Sequence, residues 1–206
     1  MGPSSPSNDP RERALHKAAV LASGLLLLRG DARLQERIEG LAEATGAKAS
    51  GISVFDDGTC WIPVSHGIAV ESQAASVSLC AMVVDSNASV LLPDLIADLR
   101  LRDHPAVSGP MNVRAYVGVP INGFLGDAIG TVFICDVEER PDFDSTVLAR
   151  LEEETRHIAR ATKLPHHRHR TGRYAIGPLT ELIREAMRDG DHDLVTALDY
   201  VLRSIE

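Results

Sequence analysis

Apolar residues recur at helical spacing from residue 11 onward. Leu15, Ala18, Ala22 and Leu25 share one face, and Gly30 is the expected stop. Asp31 is placed to cap a second helix with Leu34, Ile38, Leu41 and Thr45 inward, ending at Gly46. The period then shortens to two. Ser50, Ile52 and Val54 alternate with smaller residues, Asp56, Asp57 and Gly58 supply a turn, and residues 60–65 return as a second strand.

Residues 73–84 read as a helix and 89–92 as a short strand. Residues 93–111 hold Pro105, Gly109 and Pro110 with little periodicity, which predicts a long loop with one short helix. Loops of that length often form a lid or binding segment. Val113, Ala115, Val117, Val119 and Ile121 alternate as a strand with one buried face, and a turn over 122–127 leads to a strand over 128–136. Asp144 caps a long helix with Val147, Leu148, Leu151, Thr155 and Ile158 inward. Past Leu164 the run from His166 to Arg173 is polar and basic, a predicted linker. Gly177 and Pro178 are expected to start a helix carrying Leu179, Leu182, Ile183 and Met187; Gly190 breaks it. Leu194, Leu198, Val201, Leu202 and Ile205 then form a second stripe, so the chain closes on a helical hairpin. Such stripes need the main domain or a partner chain for burial.

The order of elements describes an α+β fold: an antiparallel sheet with helices on its faces, plus the C-terminal hairpin. At 206 residues, 44% hydrophobic and 24% charged, the chain has the composition of a globular protein. The formal charge of -8 argues against a nucleic-acid partner. No run approaches the length of a membrane span, and residues 1–10 lack the pattern of a secretory signal. They are expected to be disordered and the protein cytoplasmic. Cys60, Cys80 and Cys135 are read as free thiols.

Within this frame Ser78, Leu79 and Cys80, followed by Val90, Leu91, Leu92, Pro93, Asp94 and Leu95, resemble the "S-x-C … V-x-x-x-D" run of GAF domains. The likeness continues through Asp98-Leu99-Arg100 and His104-Pro105-Ala106-Val107 to the strand from Val113 to Ile121. It ends in Ile129 to Asp136 and Arg140-Pro141. It covers roughly residues 34–164. The implied organisation is a disordered start over 1–10, a GAF-like domain with N-terminal helices over 11–164, a His-rich linker over 165–177 and the hairpin over 178–206. Gly118 and Gly130 inside strands predict close backbone approaches, and Pro120 an edge or bulge. Asp94 is expected to cap a short helix.

The resemblance implies a small-molecule pocket between the sheet and residues 94–112, near Cys80, Arg100, Arg102, His104, Arg114, Tyr116 and Cys135. Arginines there would suit an anionic ligand; the plainer reading pairs Arg100 and Arg102 with Asp98 and Asp103. A covalent bilin is disfavoured, since residues 106–111 lack the cysteine of bilin-binding members. A cyclic nucleotide is disfavoured because Asn122 is followed by Gly123, outside the signature of those members. Free methionine sulfoxide reductases need paired thiols, and only Cys80 lies near a comparable place. Cys80, among Leu79, Ala81 and Met82, reads as buried and structural, and Cys60 and Cys135 as strand residues. The histidine-rich run 166–170 reads as a solvated linker, with a basic patch for an acidic partner as the other option, and the acids over 152–154 as a solvated helix face.

The implied function is non-catalytic: a stand-alone regulatory protein that senses a small molecule, signals to a protein partner, and pairs with a second copy through the helix of residues 11–30, that of 144–164, or both. The alternatives are a thiol-dependent reductase and a ligand-free adaptor.

Overall fold

A computed structural model describes residues 9–124, 126–161 and 165–205. The expected disordered start falls, but for its last two residues, outside that range. Helix α1 (Pro10–Ser23) begins at Asp9, whose side chain accepts from the Arg11 amide. It stops at Gly24, six residues before the expected Gly30, because Gly24 takes the left-handed conformation (φ 67°) that reverses the chain. A 3-10 turn over Leu25–Leu28 follows. Helix α2 (Ala32–Thr45) is capped as its sequence predicts: Asp31 accepts from the Arg33 and Leu34 amides, and Gly46 closes the far end.

The sheet is built from β1 (Ala49–Asp56), β2 (Thr59–His66), β3 (Ser72–Ala74), β4 (Val90–Leu92), β5 (Ala115–Asn122) and β6 (Ala128–Asp136), in the order β3-β2-β1-β6-β5-β4. Every pairing is antiparallel. Asp57 and Gly58, at φ 47° and 73°, form the two-residue turn between β1 and β2. A bulge interrupts that hairpin, since Ile52 faces Val64 while Val54 faces Trp61. It turns Cys60 and Ile62 to one face of the sheet and Val64 to the other.

The segment expected to be one helix over 73–84 is three pieces: β3, a 3-10 turn over Ala75–Val77, and helix α3 (Cys80–Ser86). Edge pairing of Ser72, Gln73 and Ala74 with β2 takes the first part into the sheet, a contact no helical periodicity can signal. Residues 93–113 contain one short helix, α4 (Pro105–Ser108), as the pattern indicates. Asp94 accepts from the Ile96 and Ala97 amides, making a turn where a helix was expected. Pro120 lies beyond β4, which ends level with Gly118, so β5 has a neighbour on one side only at that point.

The sheet is covered on both faces, so β5 has two buried faces where alternation predicts one. On the first face α2 and α5 (Ser145–Ala161) bury Leu34, Ile38, Leu41, Leu151 and Ile158 against Ile52, Val54, Val117, Val119, Val132 and Ile134. Asp144 caps α5 through the Thr146 and Val147 amides. The acids of α5 are not all solvated: Glu154 takes a two-pronged hydrogen bond from Arg37 of α2, at 2.5 and 2.8 Å. On the second face α3, α4 and residues 93–113 bury Leu79, Val83, Leu95, Leu101 and Val107 against Phe55, Tyr116 and Phe133. At the sheet's end Arg140 pairs with buried Asp136 at 2.8 Å, donates to the Thr45 and Gly46 carbonyls, and lies 4.6 Å from the centre of the Phe143 ring.

The stretch expected as a linker is helical. Helix α6 (Pro165–Arg188) runs through it, with Pro178 inside, where it costs the helix one internal hydrogen bond. The side chains of the histidine-rich run lie outside the described residues. Helix α7 (His192–Ile205) completes the hairpin. Its stripe and that of α6 close on α1: Ala18 and Leu21 meet Ala175, Leu179, Leu194, Leu198 and Val201. The hairpin is thus covered by the other end of the same chain. α1 is fastened to the sheet in turn, where His16 Nε2 bonds the Phe55 carbonyl at 2.8 Å.

Candidate functional site

The second face of the sheet is where chemistry collects. Antiparallel register sets Ser53 opposite Thr131, Gly118 opposite Phe133 and Tyr116 opposite Cys135. Ser53 and Thr131, both fully buried, hydrogen-bond each other at 2.8 Å. Cys60 arrives from β2, and its sulfur accepts from the Ser78 hydroxyl at 3.4 Å. Cys80, at the start of α3, covers this group with 5% of its surface exposed.

Two aromatic rings lie flat on the sheet here, and glycines make the room. A Cβ at Gly118 would sit 2.4 Å from Tyr116 Oη, and one at Gly51 would sit 2.9 Å from the Phe133 ring. The rings are near parallel, 17° apart with centroids at 6.3 Å. Gly130 is an equally close approach, 2.1 Å from the Ser53 carbonyl oxygen if given a Cβ. Both strand glycines therefore do what their position predicts.

Tyr116 Oη is buried and has no hydrogen-bond partner among the described residues. It lies near enough to Cys80 and Thr131 for each to shift its ionisation. Burial first, and then the neighbouring Cys80, push the phenol well above its usual range. Burial also pushes the Cys80 thiol up, but nearby Cys60, and then the neighbouring side chains of Thr131, Tyr116 and Ser53, outweigh it and hold the thiol down at about 6. Cys60 moves the opposite way, raised by Cys80 and by burial. Cys135 is pushed up to about 12, by burial and then by the charges of Cys80 and Asp136.

The seven residues singled out from the sequence divide into two groups. Cys80, Tyr116 and Cys135 converge on this face. The other four hold the covering segment together. Arg100 pairs with Asp98 at 2.6 Å and holds that carboxyl at about 2, through side-chain and backbone hydrogen bonds. Arg102 stands 3.7 Å from Asp103, and both are exposed. His104 Nδ1 accepts from the Ala106 amide and caps α4, and burial lowers the imidazole's pKa. Arg114 donates to the Val107 and Val113 carbonyls and to Asn112. The plainer pairing of Arg100 and Arg102 with their neighbouring acids is the arrangement found.

Ser53, Ser78, Thr131 and Cys60 were not singled out as site residues. The signal was present as hydroxyl and thiol side chains inside otherwise apolar strand runs, where a buried polar group needs a partner. Which partner each one meets depends on register and on the β2 bulge.

The chain belongs to the GAF domain family, whose model matches residues 29–162. Among curated proteins it is similar to a cyclic di-GMP phosphodiesterase of Pseudomonas aeruginosa, 26% identical over 169 residues. That match takes in 82% of this chain and only 28% of the relative's length. Among solved structures it is similar to free methionine-R-sulfoxide reductase from Neisseria meningitidis in complex with its substrate (19% identity, TM-score 0.51, 76% of this chain and 94% of that one). It is similar as well to the GAF domain of a phosphoenolpyruvate-protein phosphotransferase from Coxiella burnetii (18% identity, TM-score 0.52, 73% of this chain and 93% of that one). At such identities these likenesses establish the fold alone. No described helix is long and apolar enough to cross a membrane.

Proposed function

We propose that the protein is a regulatory GAF module which senses a small molecule on the second face of its sheet, at Tyr116. The observation that carries this reading is the buried Tyr116 hydroxyl without a partner. A phenol enclosed among Val83, Phe133 and Cys80 forfeits a hydrogen bond that folding ordinarily supplies, and a ligand acceptor at that point would restore it. The ring fills the space over Gly118, so a ligand enters by displacing it, and the displacement is passed to α3 through Val83 and Cys80. Asn87, just past α3, carries it to the β5–β6 turn, where its side chain bonds Asn122 and the Gly126 carbonyl. Movement at the site thereby reaches the surface, where a protein partner reads it.

Native mass spectrometry of freshly purified protein tests the reading. A retained small-molecule mass that disappears in Tyr116→Phe is the expected result. A chain that holds no ligand, and shows no thermal shift with any of a broad metabolite set, is an adaptor instead. Turnover of methionine sulfoxide lost in Cys80→Ser would replace the reading with a reductase. Pairing of two copies through α1, α5 or both belongs to the same proposal; a monomer mass by light scattering at micromolar concentration removes that part.

A further inference from the structure

Cys60 and Cys80 come from different elements and are buried on the same face, at 0% and 5% exposure. Ser78 links them, since its hydroxyl meets Cys60 Sγ at 3.4 Å and the chain reaches Cys80 two residues later. Both sulfurs lie in the same buried cluster and close to Ser53 and to each other, and Cys80 is also near Thr131 and Tyr116. The orphan phenol is the second observation. A buried O–H donor without an acceptor, set against a thiol, stabilises negative charge or a polar oxygen developing on that sulfur. The third cysteine has a different setting: Cys135 is half-buried on the neighbouring strand and its thiol is pushed up to about 12.

We propose that Cys80 and Cys60 form a peroxide-responsive dithiol, with Cys80 as the attacking sulfur and Cys60 as the resolving one. The Cys80 thiolate attacks one oxygen of hydrogen peroxide, an S–O bond forms, the O–O bond breaks, and the departing hydroxide takes up a proton as water. The Tyr116 hydroxyl is placed to donate to the oxygen left on Cys80. The Cys60 sulfur then attacks the Cys80 sulfur, the S–S bond forms as the S–O bond breaks, and the Cys60 proton leaves with that oxygen as a second water. Two thiols and one peroxide become one disulfide and two waters. The cross-link would tie the start of α3 to β2 and fix the cover of the site. The proposal goes beyond ligand sensing and concerns the ligand-free state, in which the Tyr116 ring lies over Gly118.

The test treats the full chain with hydrogen peroxide, blocks remaining thiols by alkylation, and maps peptides by mass spectrometry without reduction. The expected product links the Cys60 and Cys80 peptides and is reversed by dithiothreitol, while Cys135 is alkylated as before. Cys60→Ser should trap Cys80 as a dimedone-reactive sulfenic acid, and Cys80→Ser should leave Cys60 reduced. The rate should rise about tenfold between about pH 5 and about pH 7.5 and then level off, as a low-pKa thiolate requires. Tyr116→Phe should slow the first step and leave the fold intact by circular dichroism. Oxidation of Cys135 ahead of Cys80, a rate that keeps climbing past pH 8, or a natively folded chain that stays reduced would each overturn the proposal. None of these outcomes bears on the native mass spectrum, so failure here is separable from failure of ligand sensing.

Discussion

The two faces of one sheet have been put to different uses. The face under α2 and α5 is mainly aliphatic: Ile52, Val54, Val117, Val119, Val132 and Ile134 meet Ile38, Leu151 and Ile158, all nearly or fully buried, and its buried hydroxyls, Ser50 and Thr155, bond the Ile38 and Leu151 carbonyls. The face under α3 and residues 93–113 carries the rings of Tyr116 and Phe133 over glycines, the thiols of Cys60 and Cys80, and the hydroxyls of Ser53, Ser78, Thr131 and Tyr116. Side chains alternate along each strand, so both faces come from the same few residues of sequence. A mainly aliphatic layer supplies stability chiefly through burial. A layer with hydroxyls and thiols gives up some of that in exchange for groups that react or bind.

Substitutions on the two faces should separate these roles. The largest effect is expected on the aliphatic face. Leu151→Ala removes a fully buried side chain that nothing nearby can replace, and should cost about 4 kcal/mol in urea melts without altering peroxide chemistry or ligand retention. Gly118→Ala comes next. Its new Cβ would meet Tyr116 Oη and Val83, so the ring must shift, at about 2 kcal/mol by the same melts and with faster Cys80 alkylation as the cover loosens. The smallest effect belongs to Tyr116→Phe, which deletes a hydroxyl with no hydrogen-bond partner among the described residues. Stability should change by less than about 1 kcal/mol, in either direction, while ligand retention is lost. If Tyr116→Phe proved as damaging as Leu151→Ala, the two faces would not differ in the way described.

Much of the fold was legible because its signals are local. Asp31, Asp144 and Gly46 cap their helices through contacts within a few residues, and Asp57-Gly58 turns its hairpin through its own backbone. The terminal elements were harder. The stop at Gly24, the helix through residues 165–177 and the seat of the hairpin on α1 depend on the two ends of the chain meeting. The site was the least legible part. Four of its seven candidate residues, Arg100, Arg102, His104 and Arg114, have a local polar partner that could be found by sequence distance alone. Cys60 beside Cys80, and Tyr116 over Gly118, could not be found that way.

By itself the sequence determined helices α2 and α5, the β1–β2 turn and the GAF framework, since these follow from periodicity, capping and turn chemistry within short spans. Tertiary structure alone decided that residues 72–74 join the sheet edge, that a bulge in β2 turns Cys60 toward Cys80, and that Tyr116 lies buried with its hydroxyl unpaired. Each of these depends on strand pairing and register, which the burial of side chains against the sheet fixes and local periodicity does not.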